Sequence, residues 1–391
     1  MRIAIPKLFR FRTWTMLGIV AAVAVVLGGW VRRANHERTA YQAIRATNSE
    51  FRFTHQHSEG GTARYSFYST KKYSSVDEFW RDSLGEHFFY RIDAVQLGFY
   101  DDEEPAFTNQ RLQSLVPHLS RLKLLKNVEV NGLNIKHDGL MVLANLPRTE
   151  NLRLTKARVD DAHLAFLADL TELRELSVHC TRADGRFLHY LKEMPHLYRL
   201  ELRGENLTVN GLDGLASLKN LTHLGISGKR IDGSVLRLIA KLPVLGTLRV
   251  RLEQLTNDSI APLADSRVTH LDLAGPITDD VFRNVAKIKT LETLRVDSFS
   301  GKINGSGFSH LDGHPNLQQF SMWIPEPTDN CFAAFASIPN LKALHLICPI
   351  SEENFRHVQA LKSLESFEGG MTQEQDRRLR NSLPNCHIYN E

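Results

Sequence analysis

Residues that could carry chemistry are common in this sequence, but their spacing matches no catalytic or metal-binding motif. Seventeen histidines and four cysteines are scattered over 391 residues, without the CxxC or Cys/His spacing of a zinc site. The sequence contains no GxSxG elbow, HExxH helix, Walker loop or Asp-rich calcium loop. We therefore expect a protein that is not an enzyme and that has no metal and no cofactor.

The segment NGSGFSH, residues 304–310, superficially resembles a phosphate-binding loop. It lacks the lysine that contacts the phosphates in such loops. It also falls at the strand-to-helix turn of a repeated unit, where glycine is a usual turn residue. We expect turn structure here.

The elements that would position any functional residue come from an internal repeat. An L-x-x-L-x-L segment followed by a second apolar stretch recurs about every 24 residues. Eleven copies begin at Leu125, Thr149, Leu173, Leu197, Leu221, Leu245, Val268, Leu291, Leu317, Leu341 and Leu364, after a divergent twelfth at Ile92, Val95 and Leu97. A fixed period in the twenties predicts a solenoid, in which each unit buries its apolar face against its neighbours.

Each copy has the pattern of a strand followed by a short helix. Leu224 and Ile226 alternate with polar residues, as in a half-buried strand, whereas Leu236, Ile239 and Leu242 follow a helical spacing. Strands that all run the same way form a parallel sheet, and the helices are the crossovers.

Residues suited to cap these helices recur in phase with the apolar pattern, which supports the helices independently of hydrophobicity. Ten of the eleven copies have an oxygen-bearing side chain just after the central apolar residue. The eleven residues are Lys136, Asp160, Asp184, Thr208, Asp232, Thr256, Thr278, Asn304, Thr328, Ser351 and Thr372.

These motifs resemble the leucine-rich-repeat family, in its 24-residue strand-and-helix type. TENLRLTKARVDDAHLAFLADLTEL and VTHLDLAGPITDDVFRNVAKIKTL carry the resemblance, which covers residues 92–391. It implies an α/β fold: a right-handed solenoid, or horseshoe, with a parallel sheet on the concave face and short helices on the convex face. The asparagine that commonly follows the strand is replaced, so the turn amides need other partners. The replacements are Leu133, Ala157, Thr181, Glu205, Lys229, Glu253 and Pro276.

The N-terminal region predicts a membrane anchor. After a basic segment, residues 1–12, residues 13–31 are uncharged and would form a helix of roughly 28 Å, long enough to span a bilayer. Trp14 and Trp30 lie near its ends, where interfacial aromatics are expected. A cleaved signal peptide is the alternative. The basic flanks favour a cytoplasmic N-terminus with extracytoplasmic repeats, and similarity to membrane-anchored bacterial repeat proteins points the same way.

The repeats, residues 92–370, are expected between two caps. Residues 32–91 would be a linker and N-terminal cap, with a hairpin around Ser-Glu-Gly-Gly and a helix in SSVDEFWRDSLG. Residues 371–391 would form a polar last helix and a short strand as the C-terminal cap.

The charge distribution argues against a nucleic-acid partner. Residues 1–45 hold eight Lys or Arg and one Glu, whereas the remaining chain holds 40 basic and 43 acidic residues. The repeats therefore lack the positive excess that a nonspecific nucleic-acid binder needs.

A binding surface is expected on the concave face, where strand residues between the buried leucines point outward. Candidate partner-binding residues are Arg199, Glu201, Arg203, Arg249, Arg251, Asp272, Arg295, Asp297, Trp323, His345 and Ile347. Arg249, Asp272 and Arg295 could instead form an ion-pair ladder among themselves. Trp323 and Ile347 have the composition of a binding hot spot, unless the longer repeat from Leu291 folds over Trp323.

Three functions remain open from the sequence. The first is a membrane-tethered scaffold that binds a protein or peptide on the concave face. The second is a structural envelope protein that associates with itself or with wall polymer. The third is an unrecognised enzyme, which would need titratable groups with shifted pKa values clustered in a pocket.

Overall fold

The computed structural model describes residues 13–47, 50–53, 92–98, 108–131, 135, 137–329 and 331–390. The chain divides into two compact units, Met1–Asn131 and Gly132–Glu391. The predicted hairpin around Ser-Glu-Gly-Gly, the predicted helix in SSVDEFWRDSLG and Lys136, the one residue at the capping position without a side-chain oxygen, lie outside the described residues.

The described residues of the first unit form two helices and three strands. The helices are α1, Thr13–Ala46, and α2, Asn109–Leu119. The strands are β1, Glu50–Phe53, β2, Ile92–Leu97, and β3, Asn127–Asn131. β1 pairs with β2 in the antiparallel sense, and β2 pairs with β3 in parallel. The Thr108 side chain caps α2 by accepting the Arg111 N–H.

The predicted transmembrane anchor over residues 13–31 is wrong, and so is the single-pass membrane location derived from it. α1 continues past the predicted boundary to Ala46, through a charged stretch that includes Arg32, Arg33 and Glu37. Glu37 is buried in the first unit, where its carboxylate accepts the Ile92 N–H at 3.0 Å. Within the described part of the chain, no helix combines the length and the apolar character needed to cross a bilayer.

In the second unit, the described residues form eleven strands that pair in sequence order, all in parallel. They are β4 Asn151–Ala157, β5 Glu175–Cys180, β6 Arg199–Arg203, β7 His223–Asp232, β8 Thr247–Gln254, β9 His270–Gly275, β10 Thr293–Ser298, β11 Gln319–Trp323, β12 Ala343–Pro349, β13 Ser366–Gly370 and β14 His387–Tyr389. The repeat leucines lie opposite one another, as in the row Leu176, Leu200 and Leu224. Their side chains form buried columns, as the period predicts.

The crossovers are short helices, and most are 3-10 rather than α. The α-helices are α3 His137–Met141, α4 Leu236–Ile239, α5 Val281–Val285, α6 Glu352–Ala360 and α7 Gln373–Ser382. The 3-10 helices span Val142–Asn145, Ala162–Asp169, Arg186–Leu191, Gly211–Ser217, Gly233–Val235, Asn257–Asp265, Ser306–Leu311 and Ala333–Ser337. A 3-10 helix rises about 2.0 Å per residue, so it crosses the repeat with fewer residues than an α-helix.

Two aspartates supply partners for turn amides in place of the missing asparagine ladder. The Asp161 carboxylate accepts the backbone N–H groups of the next repeat at 2.8–3.0 Å, from Asp184, Gly185 and Phe187. The Asp279 carboxylate does the same for Asn304, Gly305 and Gly307. Each carboxylate therefore joins two neighbouring repeats.

Several predicted caps act within their own repeat. The side chains of Asp232, Ser351 and Thr372 accept N–H groups of the helix that follows them, and Thr256 forms a capping box with Ser259. α7 and β14 lie where a polar last helix and a short strand were predicted. Their role as a C-terminal cap stays a prediction.

Parallel strands, short crossover helices and buried leucine columns make the second unit a leucine-rich-repeat solenoid. Its C-terminal half replaces part of the leucine core with phenylalanine. Phe308 packs against three other buried rings, with centroid distances of 4.9 Å to Phe282, 5.1 Å to Phe320 and 5.2 Å to Phe335.

Candidate functional site

The candidate site is the sheet face of the second unit on which the polar strand residues lie, here called the open face. Along β8 the burial alternates, so that Leu248 and Val250 are buried whereas Arg249 and Arg251 are exposed. All eleven candidate residues from the sequence lie on the strands at half-buried or exposed positions. The register arranges most of them in two rows that cross the strands.

The first row holds an ion-pair cluster centred on Arg249. The Arg249 guanidinium lies 3.2 Å from Asp272 on β9 and 3.5 Å from Glu201 on β6. The predicted ladder thus includes Arg249 and Asp272 but reaches Glu201 instead of Arg295. Among the described residues, Arg295 has no ion-pair partner. Arg199, next to this row, lies 3.6 Å from Glu175.

The second row runs from His179 through Arg203 and Ser227 to Arg251, as the register of β5 to β8 shows. Arg251 reaches across β9, where the small Ala274 occupies the row, and lies 3.4 Å from Asp297 on β10. One edge of the Arg251 guanidinium is therefore occupied by the Asp297 carboxylate.

A cavity of about 500 Å³ opens where β5 to β8 end. It is lined by His179, Arg203, Gly204, Glu205, Ser227, Gly228, Lys229, Arg251, Glu253 and Phe299. Arg251 stacks over the Phe299 ring, with 4.8 Å between the guanidinium carbon and the ring centroid. Lys229, Glu205 and Phe299 were not among the candidate residues from the sequence, because those candidates were taken only from the L-x-x-L-x-L positions. A signal was present for Glu205 and Lys229, which occupy the position where the repeat commonly has asparagine, and for Phe299, which directly follows β10.

The titratable groups of this cavity are partly paired. Lys229 lies 2.8 Å from Glu205. Their hydrogen bond lowers the pKa of Glu205 and raises the pKa of Lys229, which keeps both groups charged. Burial, followed by the charges of Arg203 and Lys156, lowers the pKa of His179. At neutral pH the His179 ring is therefore uncharged.

Trp323 and Ile347 form an apolar patch further along the second row. They are paired in the register of β11 and β12. Trp323 is 60% exposed, so the longer repeat from Leu291 leaves its indole uncovered. Ile347 is half-buried beside it.

His345, Ser366 and Glu368 lie together near the C-terminal end of the open face. His345 Nε2 lies 2.8 Å from Ser366 Oγ, but His345 Nδ1 is 4.0 Å from the Glu368 carboxylate, too far for a hydrogen bond. A serine hydrolase also needs free backbone donors for an oxyanion, and the strand amides here are used in sheet pairing. The arrangement fits a structural polar cluster.

The cysteines have the environment of structural side chains. Cys180, Cys331 and Cys348 are buried, and burial raises the pKa of each thiol to about 12. A thiol with such a pKa does not supply a thiolate nucleophile at neutral pH. Within the described residues, no group of three or more His, Cys, Asp or Glu side chains is placed to hold a metal ion.

No protein-family model and no curated protein sequence matches this chain. Among solved structures, it is similar to an internalin, InlF, of Listeria monocytogenes, with a TM-score of 0.47 and 21% identity over 81% of this chain and 90% of the internalin. A leucine-rich-repeat protein of Leptospira interrogans, LIC12759, has a TM-score of 0.39 and 16% identity over 70% of this chain and 80% of that protein. TLR13, in a complex with ssRNA13, has a TM-score of 0.46 and 20% identity over 69% of this chain and 40% of TLR13. The second unit of the present chain is itself a leucine-rich-repeat solenoid, as its repeats and parallel sheet define it.

Proposed function

We propose that this protein is a non-catalytic scaffold that binds a segment of a partner protein on the open face. The observation that carries the proposal is the exposure of Trp323, which is 60% exposed on a strand beside Ile347. The phenylalanines on the repeat strands, Phe320 and Phe367, belong to the core instead. An exposed tryptophan on a rigid strand is a typical anchor of a protein interface.

The surroundings of Trp323 support a protein partner. Ile347 extends the apolar surface, while Arg295 and Asp297 on β10 provide charged groups at its edge. Interfaces commonly combine an apolar centre with a polar rim. Because the ladder hydrogen bonds hold these strands in register, the surface is formed before the partner arrives, which lowers the ordering cost of binding.

The test is photocrosslinking from the open face. A photoreactive residue replaces Ile347 in the full chain, and crosslinked partners are compared between the otherwise unchanged chain and a Trp323→Ala variant. Tyr190→Ala is the matched control, since Tyr190 is an exposed aromatic residue on the helix Arg186–Leu191, away from the strands. Loss of a hot-spot residue is worth about 2 kcal/mol or more, roughly a thirty-fold change in affinity.

We expect the same crosslinked protein with the Ile347-substituted chain and with the Tyr190→Ala control, and its loss with Trp323→Ala. A pattern that Trp323→Ala leaves unchanged would remove the open face as the binding site. If the crosslinked protein is a second copy of this chain, the self-associating alternative replaces the scaffold.

A further inference from the structure

The cavity at the ends of β5 to β8 contains an arginine, Arg203, that forms no ion pair with any described residue, although the carboxylates of Glu205 and Glu253 also line the cavity. Lys229 is paired with Glu205, and Arg251 is paired with Asp297. Arg203 is exposed, and among the described residues no hydrogen bond or ion pair holds its guanidinium. Arg203 lines the cavity, and no described residue accepts a hydrogen bond from its five N–H donors.

The neighbours of Arg203 are suited to an anionic group. Ser227 lies between Arg203 and Arg251 in the register, and its small side chain leaves a gap between the two arginines. Two strand spacings separate the arginine backbones, which is about 10 Å. A carboxylate in this gap can accept a forked pair of hydrogen bonds from Arg203 and one from the Ser227 hydroxyl. Because the His179 ring is uncharged, it does not compete with Arg203 for the anion.

Carboxylates on the open face favour a ligand with one acidic group over a ligand with many negative charges. Glu201, Asp272, Asp297 and Glu368 all lie on the rows that a ligand would cross. A nucleic-acid strand would bring one phosphate after another against these groups, whereas counterion release needs a continuous cationic path. A peptide with one acidic residue meets Arg203 and avoids this repulsion.

The row that contains Arg203 also leads to Trp323. Arg203 lies on β6 and Trp323 on β11, five strand spacings apart, or about 24 Å along the sheet. An extended peptide advances about 3.3 Å per residue, so about seven residues cover this span. The two features can therefore bind two side chains of one peptide.

We propose that the open face recognises an extended peptide with one acidic residue, whose carboxylate binds Arg203 in the cavity, and one large apolar side chain, which binds Trp323 and Ile347 about seven residues away. This proposal rests on the proposed function and names the chemistry of its partner. Arg203 and Ser227 hold the carboxylate, and Arg251, which is paired with Asp297, borders the gap on its other side. Phe299, 43% exposed, forms an apolar wall of the same cavity.

The probe is a terminally blocked, fluorescently labelled peptide with Glu and Phe about seven residues apart and a Gly-Ser spacer between them. Two control peptides replace Glu by Gln or bring Glu and Phe next to each other. Fluorescence polarisation measures their affinity for the full chain and for Arg203→Gln and Trp323→Ala variants. Arg267→Gln is the matched control, since Arg267 is an exposed arginine in the loop before β9.

We expect Arg203→Gln and the Gln peptide each to weaken binding about ten-fold or more, as for loss of a charge-assisted pair. The two changes together should weaken binding no further than either alone, because they remove the same contact. Arg267→Gln should bind as the unmodified chain does, and the peptide with adjacent Glu and Phe should bind more weakly.

Equal binding of the Glu and Gln peptides, or full binding by Arg203→Gln, overturns the acid site. If Trp323→Ala still abolishes binding in that case, the proposed function survives and only the peptide chemistry is wrong. If Trp323→Ala does not change the affinity for the peptide, the proposal that one peptide binds both the cavity and the apolar patch is wrong. No binding at millimolar peptide also overturns the inference.

Discussion

The guanidinium of Arg249 on β8 lies 3.5 Å from the Glu201 carboxylate on β6, although β7 runs between these two strands. The contact is possible because the residue between them in the register is Gly225. The Glu201 side chain occupies the space above it, and a Cβ placed on Gly225 would lie 1.8 Å from Glu201 Oε2. Because Gly225 has no side chain, an ion pair can form between β6 and β8, which are not neighbouring strands.

Gly225→Ala should break this contact at little cost in stability. The Glu201 side chain is flexible and can move away from the new methyl group. A surface ion pair contributes about 0–1 kcal/mol, and replacing a strand glycine returns roughly 0.5–1 kcal/mol. We expect the free energy of unfolding to change by less than about 1 kcal/mol in urea titrations, and its salt dependence to decrease.

Gly211→Ala is the matched comparison, because its new Cβ would meet backbone. It would lie 2.1 Å from the carbonyl oxygen of Asp184, which cannot rotate away. We expect a loss of about 1–3 kcal/mol, as for overpacking at other tightly packed positions. If Gly225→Ala proved as damaging as Gly211→Ala, the account of Gly225 as a gap filled by a movable side chain would be wrong.

Asp161→Ala and Asp279→Ala should each destabilise the repeats that they join. Each substitution leaves three backbone N–H groups of the next repeat without their carboxylate partner. Loss of a helix cap costs about 0.5–2 kcal/mol, and we expect values near the upper end. Urea unfolding of each variant measures this cost.

Asp312→Ala serves as the control for these substitutions, because Asp312 is exposed beyond the end of a helix. Surface substitutions of this kind change stability by about 0.5 kcal/mol or less. Equal stability of all three variants would show that the carboxylates at 161 and 279 do not hold the repeats together.

These aspartates also show where sequence reasoning stops. The leucine period predicted every strand of the repeats, because burial of one face fixes both spacing and register. The capping residue was expected just after the central apolar position, at Asp184 and Asn304. In the structure both side chains do accept the first N–H of the helix that follows, from Arg186 and Ser306, and the previous repeat adds a second acceptor, the carboxylate of Asp161 or Asp279. A signal was present, since Gly185 and Gly305 follow those positions and have φ of 115° and 87°.

The glycine-rich segment at residues 304–310 is explained by the same contact. The N–H groups that a phosphate could accept from Asn304, Gly305 and Gly307 donate to the Asp279 carboxylate instead. Turn structure was predicted for this segment; Gly305 has the left-handed φ of 87° typical of a turn, whereas the 3-10 helix already begins at Ser306. The partner was not predictable, because it lies about one repeat earlier and its distance depends on the stacking of the repeats.

The membrane prediction failed for a different physical reason. The hydropathy of residues 13–31 was considered without the residues that follow, so it did not show that the helix continues to Ala46. Ala40 and Ile44 in the continuation are fully buried, and Glu37 is bound to the Ile92 N–H.

The open face was predictable in its residues but not in the ion pairs that those residues form. Arg251 and Asp297 meet only because Ala274 between them is small.

Phe308→Ala should cost about 3–5 kcal/mol, because it removes a fully buried ring from the centre of the phenylalanine cluster. Trp323→Ala, which removes a larger but 60% exposed side chain, should change stability by about 0.5 kcal/mol or less. Urea unfolding of both variants measures this difference. A large loss with Trp323→Ala would mean that Trp323 is part of the core and not a free binding surface.

His314 should make the protein less stable in mild acid. The side chain is 2% exposed; its Nδ1 accepts the Leu317 N–H, so that Nε2 carries the proton and donates to the Ile288 carbonyl. Burial, assisted by the charge of Lys289, lowers the pKa of His314 from its ordinary value of 6.5. Protonation would also place a hydrogen on Nδ1, where the Leu317 N–H now donates.

The sign of the pH effect follows from proton binding. Below pH 6.5 the unfolded chain binds a proton at this position that the folded chain does not, so the free energy of unfolding decreases as the pH falls from 6.5 toward the lowered folded pKa. We expect His314→Gln to be less stable than the unmodified chain at pH 7.5 but to lose less stability between pH 7 and pH 5, roughly 1.4 kcal/mol less for each pKa unit of the shift. His310→Gln, at an exposed position, is the control and should keep the full slope. An unchanged slope in His314→Gln would assign the acid sensitivity to other groups, of which His179 and His223 have pKa values lowered by burial.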